Sequence, residues 1–338
     1  MTFTEFEAEV AEGLETIASD EIKRLTRLQN THIIKSGVQF TYTDQFENLL
    51  QLGTVNSLYL LLKYDVPRPK ALLGHQHFQR LLNAIKFIRN QSEDDFTSIY
   101  FSVAGSDTSV MKRLKSEISQ HTNMKLVDEG DLLIRIRRTT YGWDVLLRVT
   151  DRPLSARSWR FCDYPAALNA PTARAMAILS DVKPADNYVN IACGSGTLLI
   201  ETMAQYNLPH ALGIDNDPAI LRCATNNIEE TPFASKITLS EDDATASSLP
   251  DNSIDVINID LPFGRYVGSH EENLELYPAL FKEMARITKP NARIVLLTHE
   301  MKLLEGVIAD YPEFDIAHTV RITQRGLHPK IYVLRKRQ

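Results

Sequence analysis

Cysteine and tryptophan are scarce in this chain, positive charge is in deficit, and no hydrophobic run reaches the length of a membrane span. The three cysteines, Cys162, Cys193 and Cys223, are odd in number and stand at no metal-type spacing. That points away from a structural zinc and toward a reducing cytoplasm. The opening residues MTFTEFEAEV lack the charged-then-apolar pattern of a signal peptide, so neither secretion nor a membrane anchor is expected. The charge deficit is 37 Lys/Arg against 43 Asp/Glu, a net of −6, which argues against a nucleic-acid partner if the chain is taken whole. It is unevenly spread. Residues 161–317 hold 10 Lys/Arg against 23 Asp/Glu, a net of −13, whereas residues 131–160 hold 7 against 3 and residues 318–338 hold 6 against none. Two basic zones therefore stand out from an acidic body. Ordinary solvated faces would account for them, but a small basic footprint is also what phosphate contact requires.

What the chain does have is a hydrophobic content of 43% over 338 residues, enough for packed cores in about two or three domains. Its organising stretch runs from Tyr188 to Asp217. An apolar run over Tyr188–Ala192 gives way to Cys193-Gly194-Ser195-Gly196, a helical pattern starts at Thr197, and a second apolar run ends on Asp215. This order of strand, glycine turn, helix and acid-terminated strand is the first half of a nucleotide-binding βαβ unit. A dinucleotide site wants a third small residue three positions after Gly196, where this chain has the bulky Leu199. A pyrophosphate-free ligand such as S-adenosylmethionine suits the pattern better than NAD.

Taken in order, residues 1–64 alternate strand and helix in a small α+β module. Residues 65–150 read helix, strand, helix, strand and strand, the last two joined by the hairpin signal Thr139-Thr-Tyr-Gly142. Arg135 and Arg137 alternate with apolar neighbours there and are expected to face away from the core. Residues 151–165 form a linker whose Arg157 and Arg160 flank Trp159. These groups suit phosphate pairing and stacking on RNA, or a wedge between domains. From 166 to 338 strands and helices alternate as in an α/β, doubly wound, mostly parallel sheet, opened by a helix over Ala166–Leu179 that caps the cleft. Such sheets bind ligands at the carboxyl ends of their strands. The Cys193–Gly196 loop, Asp215, Asp243 with its rival Asp242, and Asp260-Leu261-Pro262-Phe263 all fall there.

The run Asn190-Ile-Ala-Cys-Gly-Ser-Gly-Thr197 resembles the first motif of class I methyltransferases that modify RNA bases, usually Asp-Pro-x-Cys-Gly-Ser-Gly-Thr. Asn190 and Ile191 depart from its first two positions. Asp260-Leu-Pro-Phe-Gly264 is similar to the motif of THUMP-type enzymes that form N2-methylguanosine in tRNA, and Val127–Ile134 and Arg152–Arg160 resemble the THUMP RNA-binding region. The resemblance implies an N-terminal ferredoxin-like domain, a THUMP domain, and a class I methyltransferase domain whose parallel sheet carries an antiparallel edge strand. It implies S-adenosylmethionine as cofactor, held by Asn190, Ala192, Cys193, Gly194, Gly196, Thr197, Asp215, Asn216, Asp242, Asp243, Ala244 and Asp260. It implies tRNA as partner, engaged by Arg135, Arg137, Arg157 and Arg160, and a monomer with no metal that methylates a guanine of the acceptor stem. At Asp260–Phe263 the side-chain oxygen and the Leu261 carbonyl would hold the two protons of an exocyclic amine, with Phe263 stacking on its base. Adenine N6 or ribosomal RNA as target, and a non-catalytic RNA-binding protein with a degenerate site at Asn190, are the alternatives.

Overall fold

The computed structural model describes residues 3–92, 95–162, 167–263, 268–323 and 326–338. The helix start expected at Ala166 and the Gly264 of the turn lie outside them. The chain forms two compact units: Met1–Val10 with Ala18–Ser155, and Ala11–Ile17 with Ala156–Gln338. The break after Ser155 falls inside the stretch read as a linker.

The first unit contains β1 (Glu5–Glu9), α1 (Glu15–Thr26, whose first residues group with the second unit), β2 (His32–Ile34), β3 (Gly37–Thr41), α2 (Glu47–Leu50) and β4 (Ser57–Tyr64). It continues with α3 (His75–Gln91), β5 (Ser98–Val103), α4 (Ser109–Thr122), β6 (Lys125–Leu126), β7 (Leu132–Arg138) and β8 (Trp143–Arg148). All eight strands make one sheet in the order β2-β3-β1-β4-β8-β7-β5-β6. The antiparallel β4–β8 ladder, from Tyr59↔Arg148 to Tyr64↔Trp143, joins the two expected modules edge to edge. A shared core runs beneath them, from Phe6 and Ile22 through Leu60 to Ile134 and Leu147, and a smaller cluster of Tyr59, Leu61, Leu133 and Leu146 is separate from it. The predicted hairpin is present, with the Thr139 N–H donating to the Gly142 carbonyl at 2.9 Å.

The second unit adds α5 (Ala170–Ser180), β9 (Tyr188–Ile191), α6 (Thr197–Tyr206), β10 (Ala211–Asp215), α7 (Pro218–Glu229), β11 (Ile237–Glu241) and β12 (Ile254–Asp260). It closes with α8 (His270–Ile287), β13 (Thr288–Thr298), α9 (Met301–Asp310), β14 (Phe314–Arg321) and β15 (Lys330–Lys336). Sheet order is β11-β10-β9-β12-β13-β15-β14, with β9 to β13 parallel and β15 antiparallel to both neighbours. The antiparallel strand thus sits second from the edge, and β14 is outermost. The strand order reverses direction between β9 and β12, the switch point where such sheets open a crevice. Both central strands are buried along most of their length, with Asn190 and Asn258 enclosed among the apolar residues. Pro278 stands inside α8, yet the helix begins at His270 because the Ser269 hydroxyl caps the Glu272 N–H at 3.1 Å.

Candidate active site

A cavity of about 420 Å3 opens at the carboxyl ends of the parallel strands of the second unit. Its floor is the glycine turn. Ala192, Gly194 and Gly196 all take left-handed backbone angles (φ 49°, 56° and 79°), which lets the chain turn tightly between β9 and α6. Glycine adopts these angles freely, whereas Ala192 does so at a cost of about 1 kcal/mol. Leu199 does not hold helix and sheet apart, because the facing strand supplies the missing space. A Cβ on Gly213 would stand 2.8 Å from Leu199 Cδ2 and 2.9 Å from Leu239 Cδ2. Burial pushes the Cys193 thiol far up, which leaves it a packing group rather than a nucleophile.

Asp215 ends β10 as expected. Its carboxylate accepts from the Gly194 N–H at 2.9 Å and the Asp217 N–H at 3.1 Å, which ties the acid to the glycine turn. Asn216 and Asp217 also line the cavity. Of the two rival acids after β11, Asp243 reaches the cavity wall together with Ala244. Hydrogen bonds from the Thr245 hydroxyl and N–H hold the Asp243 carboxyl below the usual range. Asp242 is engaged elsewhere, accepting from the Ser248 N–H and hydroxyl at 2.9 and 2.8 Å.

Asn190 is fully buried on β9. Its Nδ2 donates to the Asn258 carbonyl at 2.9 Å and the Ile191 carbonyl at 3.2 Å, while its Oδ1 has no partner among the described residues. Asp260, at the end of β12, shares that condition: its Oδ1 is buried without a partner among the described residues, and burial pushes its carboxyl up to about 7. Asp260, Leu261, Pro262 and Phe263 all line the same cavity as the glycine turn and Asp215. Phe263 lies beside the His299 ring, centroids 6.4 Å apart. Unsatisfied buried acceptors are costly, and two of them in one recess suit a ligand that brings N–H donors and positive charge. S-adenosylmethionine, with its ammonium, ribose and sulfonium, fits this acceptor-rich lining.

The arginines expected at RNA are each held within the protein. Arg137 makes a bidentate pair with Glu7 (2.7 and 2.6 Å) and also meets Asp144. Arg135 pairs with Glu9 at 3.0 Å and lies over the Tyr59 ring. Arg157 and Arg174 clasp opposite oxygens of the buried Glu201 on α6, both at 2.7 Å. Arg160 donates to Thr197 Oγ1 and the Leu168 carbonyl. Phosphate contact by any of these would have to displace a partner already in place. Nor are all the thiols free: Cys162 and Cys223 are joined in a disulfide. Spacing could not show it, since the fold closes a sequence separation of 61 by seating the connector on α7. The buried Asn227 accepts the Phe161 and Cys162 N–H groups and donates to the Cys162 and Ser195 carbonyls. The connector is thereby fastened to the back of the glycine turn.

Several lining residues carried no signal in the sequence. Ala167 and Leu168 arrive from before α5, Ile220 from α7, Leu276 from α8, and Leu327 and Pro329 from the β14–β15 connection. Among the described residues, no helix is long and apolar enough to cross a membrane, and no group of three or more His, Cys, Asp or Glu is placed to hold a metal.

Residues 157–330 match the family model described as RMKL-like, methyltransferase domain. The tRNA (guanine(6)-N(2))-methyltransferase THUMP3 of Mus musculus is 31% identical over 188 residues, 51% of this chain and 37% of that protein. The chain therefore covers little more than a third of the length of that relative. The tRNA (guanine(6)-N2)-methyltransferase of Methanocaldococcus jannaschii is 25% identical over 281 residues, 72% of this chain and 73% of that protein. The crystal structure of TrmN from Thermus thermophilus superposes with a TM-score of 0.83 at 21% identity, covering 98% of this chain and 99% of its own.

Proposed function

The chain belongs to the RMKL-like methyltransferase-domain family, and from that premise we propose that it transfers a methyl group from S-adenosylmethionine to the N2 amine of a guanine in transfer RNA. Its named relatives act on guanine 6 of transfer RNA, and the same nucleotide is proposed here. The observation that carries the reading is Asp260: a recessed carboxyl, raised to about 7 by burial, with an oxygen unpartnered among the described residues on the cavity it shares with the glycine turn.

S-adenosylmethionine would supply an electrophilic methyl group. Asp215 would hold the ribose hydroxyls, Asp243 the adenine amine, and Asn190 Oδ1 the ammonium. The remaining chemistry belongs to the turn after β12. An exocyclic guanine amine is a weak nucleophile, because its lone pair is delocalised into the ring. Asp260 and the Leu261 carbonyl each accept one of its protons, which favours the arrangement in which positive charge grows on nitrogen. A carboxyl near 7 is well matched to take up the departing proton at neutral pH. Phe263 supplies a face for the base once it is drawn out of its stack. Because the named arginines are paired internally, the RNA footprint is proposed to draw on other basic side chains of the first unit.

The test is nucleoside mass spectrometry of transfer RNA after incubation with isotopically labelled S-adenosylmethionine. Label on N2-methylguanosine is expected. Label on N6-methyladenosine would move the target to adenine, and an unlabelled RNA with cofactor bound would leave an RNA-binding protein without turnover.

A further inference from the structure

The carbonyl of Pro262, in the middle of the amine-binding turn, is held by two side chains of α8. It accepts from Tyr277 Oη at 2.9 Å and from Asn273 Nδ2 at 3.0 Å, both reaching up from α8. Tyr277 Oη also lies 2.8 Å from Thr298 Oγ1, which in turn receives the Glu300 N–H at 2.9 Å. Tyr277, Asn273 and Thr298 are fully buried. The direction of every proton in this chain follows from chemistry. A carbonyl only accepts and an amide N–H only donates, so the Tyr277 hydroxyl must donate to Pro262, the Thr298 hydroxyl to Tyr277, and Glu300 to Thr298. Burial pushes the Tyr277 phenol far up, so its proton stays on at all working pH values. The same reasoning fixes the Asn273 amide, whose nitrogen must face the carbonyl.

On the other side of the turn, the Leu261 N–H donates to the Leu297 carbonyl at 3.0 Å. The Leu261 carbonyl therefore lies between two anchored peptide groups, and Pro262 further restricts Leu261 to extended backbone. We propose that Tyr277, Asn273 and Thr298 are positioning residues: they set the orientation of the Leu261 carbonyl and of Phe263 without touching the target base. The proposal rests on the reading of Asp260–Phe263 as the amine-binding turn. Packing alone would leave α8 equally well served by phenylalanine at 277, whereas positioning requires the hydroxyl.

The test uses the full chain, with single-turnover methyl transfer to transfer RNA, calorimetric affinity for S-adenosylmethionine, and thermal unfolding. Tyr277→Phe should slow single turnover about 10-fold while cofactor affinity stays within about 2-fold. Thr298→Ser keeps the relay and should behave as wild type, and Thr298→Val should resemble Tyr277→Phe. The double variant Tyr277→Phe/Thr298→Val should be no slower than Tyr277→Phe, because both break one chain, while adding Asn273→Ala should multiply the loss. A Tyr277→Phe rate within about 2-fold of wild type, or a loss that merely tracks the unfolded fraction, overturns the positioning role. A wild-type protein that transfers no methyl group overturns the functional reading itself and, with it, the inference.

Discussion

Asp260→Asn should make the ligand-free protein more stable at alkaline pH while removing its turnover. In the fold the Asp260 carboxyl is raised from 3.8 to about 7 by burial, with no charged partner among the described residues to offset it. A raised carboxyl destabilises, and the sign follows from proton counting. Between pH 4 and 7 the folded chain keeps a proton on Asp260 that the unfolded chain has lost. Stability therefore falls as pH rises through that window and levels off above it. Each unit is worth about 1.4 kcal/mol, so the penalty is on the order of 1.5 kcal/mol at pH 5 and 4 kcal/mol at pH 8. Asparagine has the same shape and no charge to desolvate. Relative to wild type, its advantage should grow by about 2–3 kcal/mol from pH 5 to pH 8, or roughly 5–10 °C in Tm for a unit of this size.

The assay is differential scanning calorimetry of both proteins at pH 5 and pH 8 without cofactor, so that every other titrating group cancels in the difference. Methyl transfer by the variant should fall on the order of 100-fold or more, since the carboxylate matters most as charge develops on the amine. Stability and activity then move in opposite directions at one residue, as expected where an active site keeps a group in an unfavourable environment. A Tm difference that is equal at the two pH values would refute the argument, because Asp260 would then not be titrating between them.

Affinity for S-adenosylmethionine should rise as pH climbs through about 7, by up to about 10-fold per unit below that value, because its sulfonium favours ionised Asp260; calorimetry with the uncharged thioether S-adenosylhomocysteine should show no such slope. Asp215→Ala should weaken S-adenosylmethionine by about 1.5–3 kcal/mol, measured by calorimetry, through loss of a charge-assisted contact and of the tie to Gly194. Glu201→Gln removes the buried anion that Arg157 and Arg174 both clasp, and urea denaturation at pH 7 should show a loss of about 3–5 kcal/mol. Cys162→Ser should lower Tm relative to wild type in oxidising buffer, and the gap should close once wild type is reduced with dithiothreitol.

The residues legible in the sequence were those whose chemistry ends a strand or bends a turn. Gly194, Gly196, Asp215, Asp243 and Asp260 each announce themselves locally, because the residue type and its distance from an apolar run carry the information. What stayed hidden depends on partners far along the chain. Arg137 looked like a solvent-facing cation, but its partner Glu7 lies 130 positions away, on a strand that only the folded sheet brings near. The β4–β8 ladder, the Cys162–Cys223 bond and the cavity wall at Leu327 and Pro329 are of the same kind. Asn190 is the instructive case, for the motif it departs from has an aspartate there. In this fold the side chain donates to two main-chain carbonyls, those of Ile191 and Asn258, and a carboxylate in its place would face both oxygens at about 3 Å unless it kept its proton. The amide meets both demands, donating to the strands through Nδ2 and leaving Oδ1 to accept from a ligand. Asparagine at 190 is thus what its own surroundings call for, and it gives no ground for reading the site as degenerate.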